Sequence, residues 1–197
     1  ECATHIYYHP GWLDWDKRYA GKPYEGAKAE MQSIQDANFN CTRMVHRPHP
    51  AFFFDIADEI GHLVISHFPI GFHKDQFDFK NPLLAKNAEE TIIGQVRKER
   101  NHPSIIMWEG ENEGFPYGEN EMAKNFSDFY YKSIDQASKK LDPTRTVKFG
   151  GDGDIFGKAD IVDIHGGDLP DLNDTPLPNS NWMVLDRLEG RLHGPVG

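Results

Sequence analysis

The chain has 197 residues, 38% of them hydrophobic and 12% aromatic, enough for one domain with a sizeable core. Its formal charge of -10 is the wrong sign for a nucleic-acid binder, which needs Lys and Arg to neutralise phosphate. No apolar run is long enough to cross a bilayer, so no membrane partner is expected.

The chain starts at Glu1 with no charged leader or apolar signal core ahead of it, and the expectation is a processed chain or a fragment. Its two cysteines, Cys2 and Cys41, define neither a disulfide framework nor a zinc site, and both read as buried thiols. The compartment stays open, with a secreted or periplasmic setting preferred over a cytoplasmic one.

Residues 2–8 read as a first strand ending at His9-Pro10. In the loop beyond, Trp12 and Trp15 sit among Asp and Gly, where indoles either form a sugar-stacking wall or plug the loop against the domain. Ala27, Met31, Ile34 and Ala37 recur at helical spacing over residues 24–37. Asn38-Phe39-Asn40 leads into a second strand, 41–46, which Pro48 and Pro50 terminate. A short helix over 51–60 gathers Phe53, Phe54, Ala57 and Ile60 on one side, with Gly61 suited to its C-terminal cap. The third strand is 63–67. A long loop with four Phe, 68–81, follows, and loops of this length are often functional.

Pro82 opens a helix whose buried face is Leu84, Ala88, Ile92 and Val96. Its last turn is cationic, as the helix dipole favours. The run Ile105-Ile106-Met107-Trp108 fits a strand buried on both faces. A further helix spans 121–141, with Met122, Phe126, Phe129, Tyr130, Ile134, Ala137 and Leu141 inward. Strands at 146–149 and 161–165 each close on Gly and Asp. From Leu169 onward Pro, Asn and Asp dominate, and the apolar cluster Trp182-Met183-Val184-Leu185 has no secure assignment.

Strands alternating with helices call for a parallel sheet with right-handed crossovers, either doubly wound or closed into a barrel. A doubly wound nucleotide binder should carry a glycine-rich turn after its first strand, and neither G-x-G-x-x-G nor G-x-x-x-x-G-K is present there. What repeats is a polar residue after each strand: His9, Arg43 with His46, His67, Glu113, Asp152, His165. Side chains converging from strand ends are how a (β/α)8 TIM barrel builds its site. The expected architecture is therefore an incomplete α/β barrel, with about six of eight strands. Residues 1–168 would form the partial barrel, and 169–197 an irregular segment leading toward the missing strands.

The chemistry concentrates after the fourth strand, where Glu109, Glu111 and Glu113 follow at spacing two. In extended chain their carboxyls share one side, and like charges so placed repel. Solvated loop acids are the expectation for Glu109 and Glu111. Trp108 and the Gly-flanked Asn112-Glu113 pair set Glu113 apart. There is no G-x-S-x-G elbow and no H-E-x-x-H. A metal-dependent barrel hydrolase is the rival chemistry, but His5 and His9 lie about 13 Å apart at strand rise, too far for one metal. Each His is expected to serve structure through hydrogen bonds.

Residues 97–113 resemble the acid/base signature of glycoside hydrolase family 2, the β-galactosidases, β-glucuronidases and β-mannosidases. The matching features are the basic helix end, then Asn101-His102-Pro103-Ser104, the apolar run to Trp108, and Asn112-Glu113. Asn38-Phe39-Asn40-Cys41-Thr42-Arg43-Met44-Val45-His46-Arg47-Pro48 is similar to the family's N-F-N-x-x-R-x-x-H-x-P. Phe54 to Val64 is similar to its F-x-D-x-x-D-E-x-G-x-hydrophobic-V.

The resemblance implies a retaining, exo-acting β-glycosidase with Glu113 as general acid/base and Asn112 on the sugar 2-hydroxyl. Arg43 and His46 would form the sugar-binding floor and Trp108 would back the acid. His165 is a further candidate sugar contact from its place at another strand end, independent of the resemblance. Such an enzyme needs a second carboxylate roughly 5–5.5 Å from the acid. The family's nucleophile ends the seventh strand, and no matching run follows His165; Glu189 does not sit in one. The nucleophile is thus expected outside this chain. His67 stands where some members bind magnesium through a Glu, so no metal and no cofactor are carried over.

Residues 43–48 look galactosidase- or glucuronidase-like, whereas the turn 108–113 is closer to mannosidases. A β-galactosidase-like substrate is preferred. The expected partner is a carbohydrate end, and an oligomer is allowed. The reading from another class is a carbohydrate-binding or structural barrel without turnover.

Overall fold

The computed structural model describes residues 2–5 (backbone only), 21–44, 48–70, 77–111, 121–148 and 160–161. It divides into two compact units. The first comprises Glu1–Pro69 with Gly94–Trp108, and the second Ile70–Ile93 with Glu109–Gly197.

In the first unit, β1 (Cys2–His5), β2 (Cys41–Met44) and β3 (Leu63–His67) pair in parallel. Arg43 stands opposite Thr4 on one side and Ile65 on the other. β4 (Ile105–Glu109) comes next to β3, and Val64 N–H donates to Ser104 O at 2.8 Å just ahead of it. The order β1-β2-β3-β4 never reverses. A doubly wound sheet must reverse at its switch point, whereas a barrel adds each strand beyond the last. These strands are the opening part of a (β/α)8 barrel.

The connections follow from local chemistry. Pro23 opens α1 (Pro23–Asp36), where a missing N–H costs nothing. α2 (Ala51–Ile60) ends at Gly61, whose φ of 68° suits a residue without a Cβ. Phe53, Phe54, Ile56 and Ala57 of α2, Ala27 and Met31 of α1, and Val64 of β3 are all fully buried. Thr42 and His62 join β2 to the start of β3 through a 2.6 Å contact between Oγ1 and Nε2. Burial pushes the His62 imidazole below its ordinary value.

The cysteine expectation needs correction. Cys41 is buried and disulfide-bonded, and no described cysteine is free. The chain's other cysteine, Cys2, is its register partner on β1. Adjacent parallel strands bring in-register Cα atoms within the range a disulfide requires, a proximity that sequence spacing does not show.

α3 (Pro82–Glu99) begins in the second unit and ends in the first. Its C-terminal part carries a buried polar group: Ser66 Oγ donates to Glu99 Oε2 at 2.9 Å, and Gln95 Nε2 to the same oxygen at 3.2 Å. Glu99 is fully buried, and burial raises its carboxyl against the pull of these donors.

In the second unit, Phe79 packs against Phe126 and Phe129 at 5.0 and 5.5 Å between ring centroids. The helix expected over 121–141 is three pieces: α4 (Glu121–Tyr130), a π-helical turn (Tyr131–Asp135) and α5 (Gln136–Lys139). Phe126, Phe129, Tyr130, Ile134 and Ala137 are buried as the spacing predicts, but Met122 is 43% exposed. β5 is short, Val147–Lys148, and neighbours the end of β4. Lys148 makes a parallel bridge to Ile161, the first residue of the expected sixth strand. The remainder of that strand and the segment 169–197 lie outside the described residues, as does the loop with Trp12 and Trp15.

Candidate active site

β4 leads to the candidate acid, so its two ends decide what the site can do. At its entry, the side chain of Asp58 reaches from α2 across 44 residues of sequence. Its Oδ1 accepts the Ser104 N–H at 2.9 Å, and its Oδ2 lies 2.6 Å from His102 Nδ1. Partial burial alone would push the Asp58 carboxyl up; Ser104 and His102 together outweigh it and hold it below the ordinary value. Two motif blocks, Asp58-Glu59 and His102-Pro103-Ser104, thus meet in a structural clamp at the base of β4. Along the strand, Trp108 is fully buried and stacks on Phe68, with ring centroids 5.5 Å apart and planes 11° off parallel.

The exit end overturns the expectation for two acids. Glu109 and Glu111 are both fully buried, not solvated. Lys148 of β5 places its Nζ 3.3 Å from Glu109 Oε1, with only 13% of its own side chain exposed. A buried carboxylate needs such a counter-charge, and here it comes from 39 residues downstream. Gly110 N–H donates to the Lys148 carbonyl at 2.9 Å, and the Tyr130 hydroxyl donates to the same oxygen at 3.0 Å. A Cβ at position 110 would come within 2.5 Å of the Tyr130 ring, so only glycine fits.

Of the six candidate site residues, two are described. Arg43 is half-buried in β2, and Trp108 is buried in β4. Asn112, Glu113, His46 and His165 lie outside the described residues. His67 is buried at the end of β3. Among the described residues no group of three or more His, Cys, Asp or Glu is placed to hold a metal ion. The sequence reading misses the roles of Asp58, His102, Tyr130 and Lys148. Asp58 and His102 stand in recognisable motifs; Tyr130 and Lys148 carry no local signal.

Fold and site together define a class, part of a parallel-stranded barrel whose fourth strand ends among the buried acids Glu109 and Glu111. Residues 18–169 match the family model described as glycosyl hydrolases family 2, TIM barrel domain, and the chain belongs to that family. It is 29% identical over 164 residues to a beta-galactosidase of Pectobacterium atrosepticum, a match that covers 81% of this chain and 14% of that protein. It is 28% identical over 164 residues to a beta-galactosidase of Lactococcus lactis, covering 78% of this chain and 15% of that protein. The chain spans about one seventh of the length of these curated relatives. Among solved structures, Bacteroides uniformis beta-glucuronidase 3 matches with TM-score 0.52 and 25% identity over 64% of this chain and 16% of that one. The beta-glucuronidase of Bifidobacterium dentium, complexed with coumarin-3-O-glucuronide, matches in fold with TM-score 0.54 and 24% identity over 62% of this chain and 20% of that one.

Proposed function

We propose that this chain is part of the catalytic barrel of a retaining, exo-acting β-glycosidase that removes terminal β-linked sugars, with Glu113 as general acid/base. Asn112 grips the sugar 2-hydroxyl, Arg43 and His46 line the floor, and His165 contacts the sugar from a later strand. The nucleophile comes from a strand beyond this chain. One observation carries the reading: the strand end ahead of Asn112-Glu113 is dry, with Trp108, Glu109, Gly110 and Glu111 all buried. A low-dielectric flank raises a carboxylic acid's pKa, which the proton donor of a glycosidase needs at neutral pH.

The substrate is β-galactoside-like, in keeping with the curated beta-galactosidases that the chain resembles. Glucuronide and mannoside are the alternatives within the family. The disulfide at Cys41 supports a secreted or periplasmic setting, where such bonds persist. Protein unfolded without reductant should then show no free thiol.

The deciding experiment uses the longer protein that carries this chain with its remaining strands. Hydrolysis of chromogenic β-galactosides, β-glucuronides and β-mannosides is measured for wild type and Glu113→Gln. Gln keeps the shape and cannot donate a proton, so glycosides with poor leaving groups should slow by about 10²–10⁴-fold. Binding of sugars without turnover by wild type would favour the non-catalytic barrel instead.

A further inference from the structure

We infer that Tyr130 is a positioning residue for the acid-bearing turn, acting through the Lys148 carbonyl and Gly110; this rests on the glycosidase reading above. The Lys148 oxygen accepts two donors at once, Gly110 N–H at 2.9 Å and Tyr130 O–H at 3.0 Å. The Tyr130 ring fills the space that any side chain at position 110 would need. Gly110 is therefore held both by a backbone hydrogen bond and by contact with a rigid aromatic face. Its neighbour Glu109 is held from the same residue, its carboxylate facing the Lys148 ammonium at 3.3 Å. All four residues belong to one compact unit.

Glu113 follows Gly110 by three residues, a span of at most about 11 Å of extended chain. A general acid must sit within hydrogen-bond reach of the departing oxygen, so the anchor of so short a tether matters to the chemistry. Tyr130 itself closes α4 immediately before the π-helical turn Tyr131–Asp135. One residue of extra winding there changes which side chains α4 and its continuation present, and such turns recur at functional sites.

The test separates positioning from mere stability. In the longer protein, kcat/KM, which reports the step that expels the leaving group, is measured for aryl β-glycosides ranging from activated dinitrophenyl to poorly activated phenyl leaving groups. Wild type, Tyr130→Phe, Gly110→Ala and Glu113→Gln are compared, with melting temperatures recorded alongside. Tyr130→Phe keeps the ring and loses the hydroxyl. It should slow the poor leaving groups about tenfold or more while changing the activated ones less than about twofold. Gly110→Ala, which forces a methyl against the ring, should show the same selectivity. A loss equal across the series, or no loss, in both variants overturns the inference when Glu113→Gln shows the leaving-group dependence. A flat response in Glu113→Gln itself overturns the glycosidase reading, and the inference with it.

Discussion

The two ends of β4 are secured by different chemistry. At the entry, a carboxylate, an imidazole and a backbone amide meet where water still reaches, Asp58 being 24% and His102 18% exposed in their side chains. At the exit, a fully buried carboxylate faces a nearly buried ammonium, and one carbonyl takes two donors. The entry clamp fixes where the strand starts. The exit fixes Glu109 and Gly110, the residues that lead toward Asn112-Glu113 in sequence. Burial also makes the exit less forgiving, since a charge stripped of its partner there has no water to fall back on.

The largest effect should come from breaking the buried pair at the exit. Lys148→Met leaves the Glu109 carboxylate without that counter-charge and should cost about 3–5 kcal/mol in denaturant unfolding. Adding Glu109→Gln should recover most of the loss, because an ion pair is worth little more than neutral groups of the same shape. If Lys148→Met is neutral, the exit is wetter than it looks. At the entry, Asp58→Ala removes two hydrogen bonds and should cost about 1–3 kcal/mol. Its leaving-group dependence should match wild type; a selective loss like that expected for Tyr130→Phe would erase the distinction between the two ends.

The smallest effects concern pH. Asp58 has a lowered folded value, so its contribution is present above its ordinary 3.8 and is lost as pH falls through the folded value. His62 is also lowered, so the folded state loses stability as pH drops below 6.5 and the unfolded chain takes up the proton. Glu99 behaves in the opposite sense. Its raised value means that stability declines as pH rises above 4.5. Glu99→Gln keeps an acceptor for Ser66 and Gln95, and its gain in melting temperature over wild type should grow from pH 4.5 toward 7. Equal melting temperatures across that range would place water at Glu99.

Elements with a strong local period were legible. The helices at 23–36, 51–60 and 82–99 and the strands at 41–44, 63–67 and 105–109 fall where apolar spacing, Pro and Gly put them. The π-helical turn inside the long fourth helix was not, because Phe126, Tyr130 and Ile134 keep the same apolar identity with or without it. The burial of Glu109 and Glu111 escapes local pattern for a related reason. Their spacing showed repulsion among neighbours, and the Lys148 charge that faces Glu109 lies far along the chain. The disulfide at Cys41 depends in the same way on strands that only folding brings side by side.

The sequence by itself determined the order of strands and helices and the motifs that mark a family 2 barrel, because periodicity, helix breakers and short motifs are local properties. Only the tertiary structure decided which motif residues meet one another and which acids are buried. Asp58 and His102 meet across 44 residues, and Gly110, Tyr130 and Lys148 meet across still separate elements. Burial and hydrogen-bond partners are set by those encounters, and no local pattern encodes them.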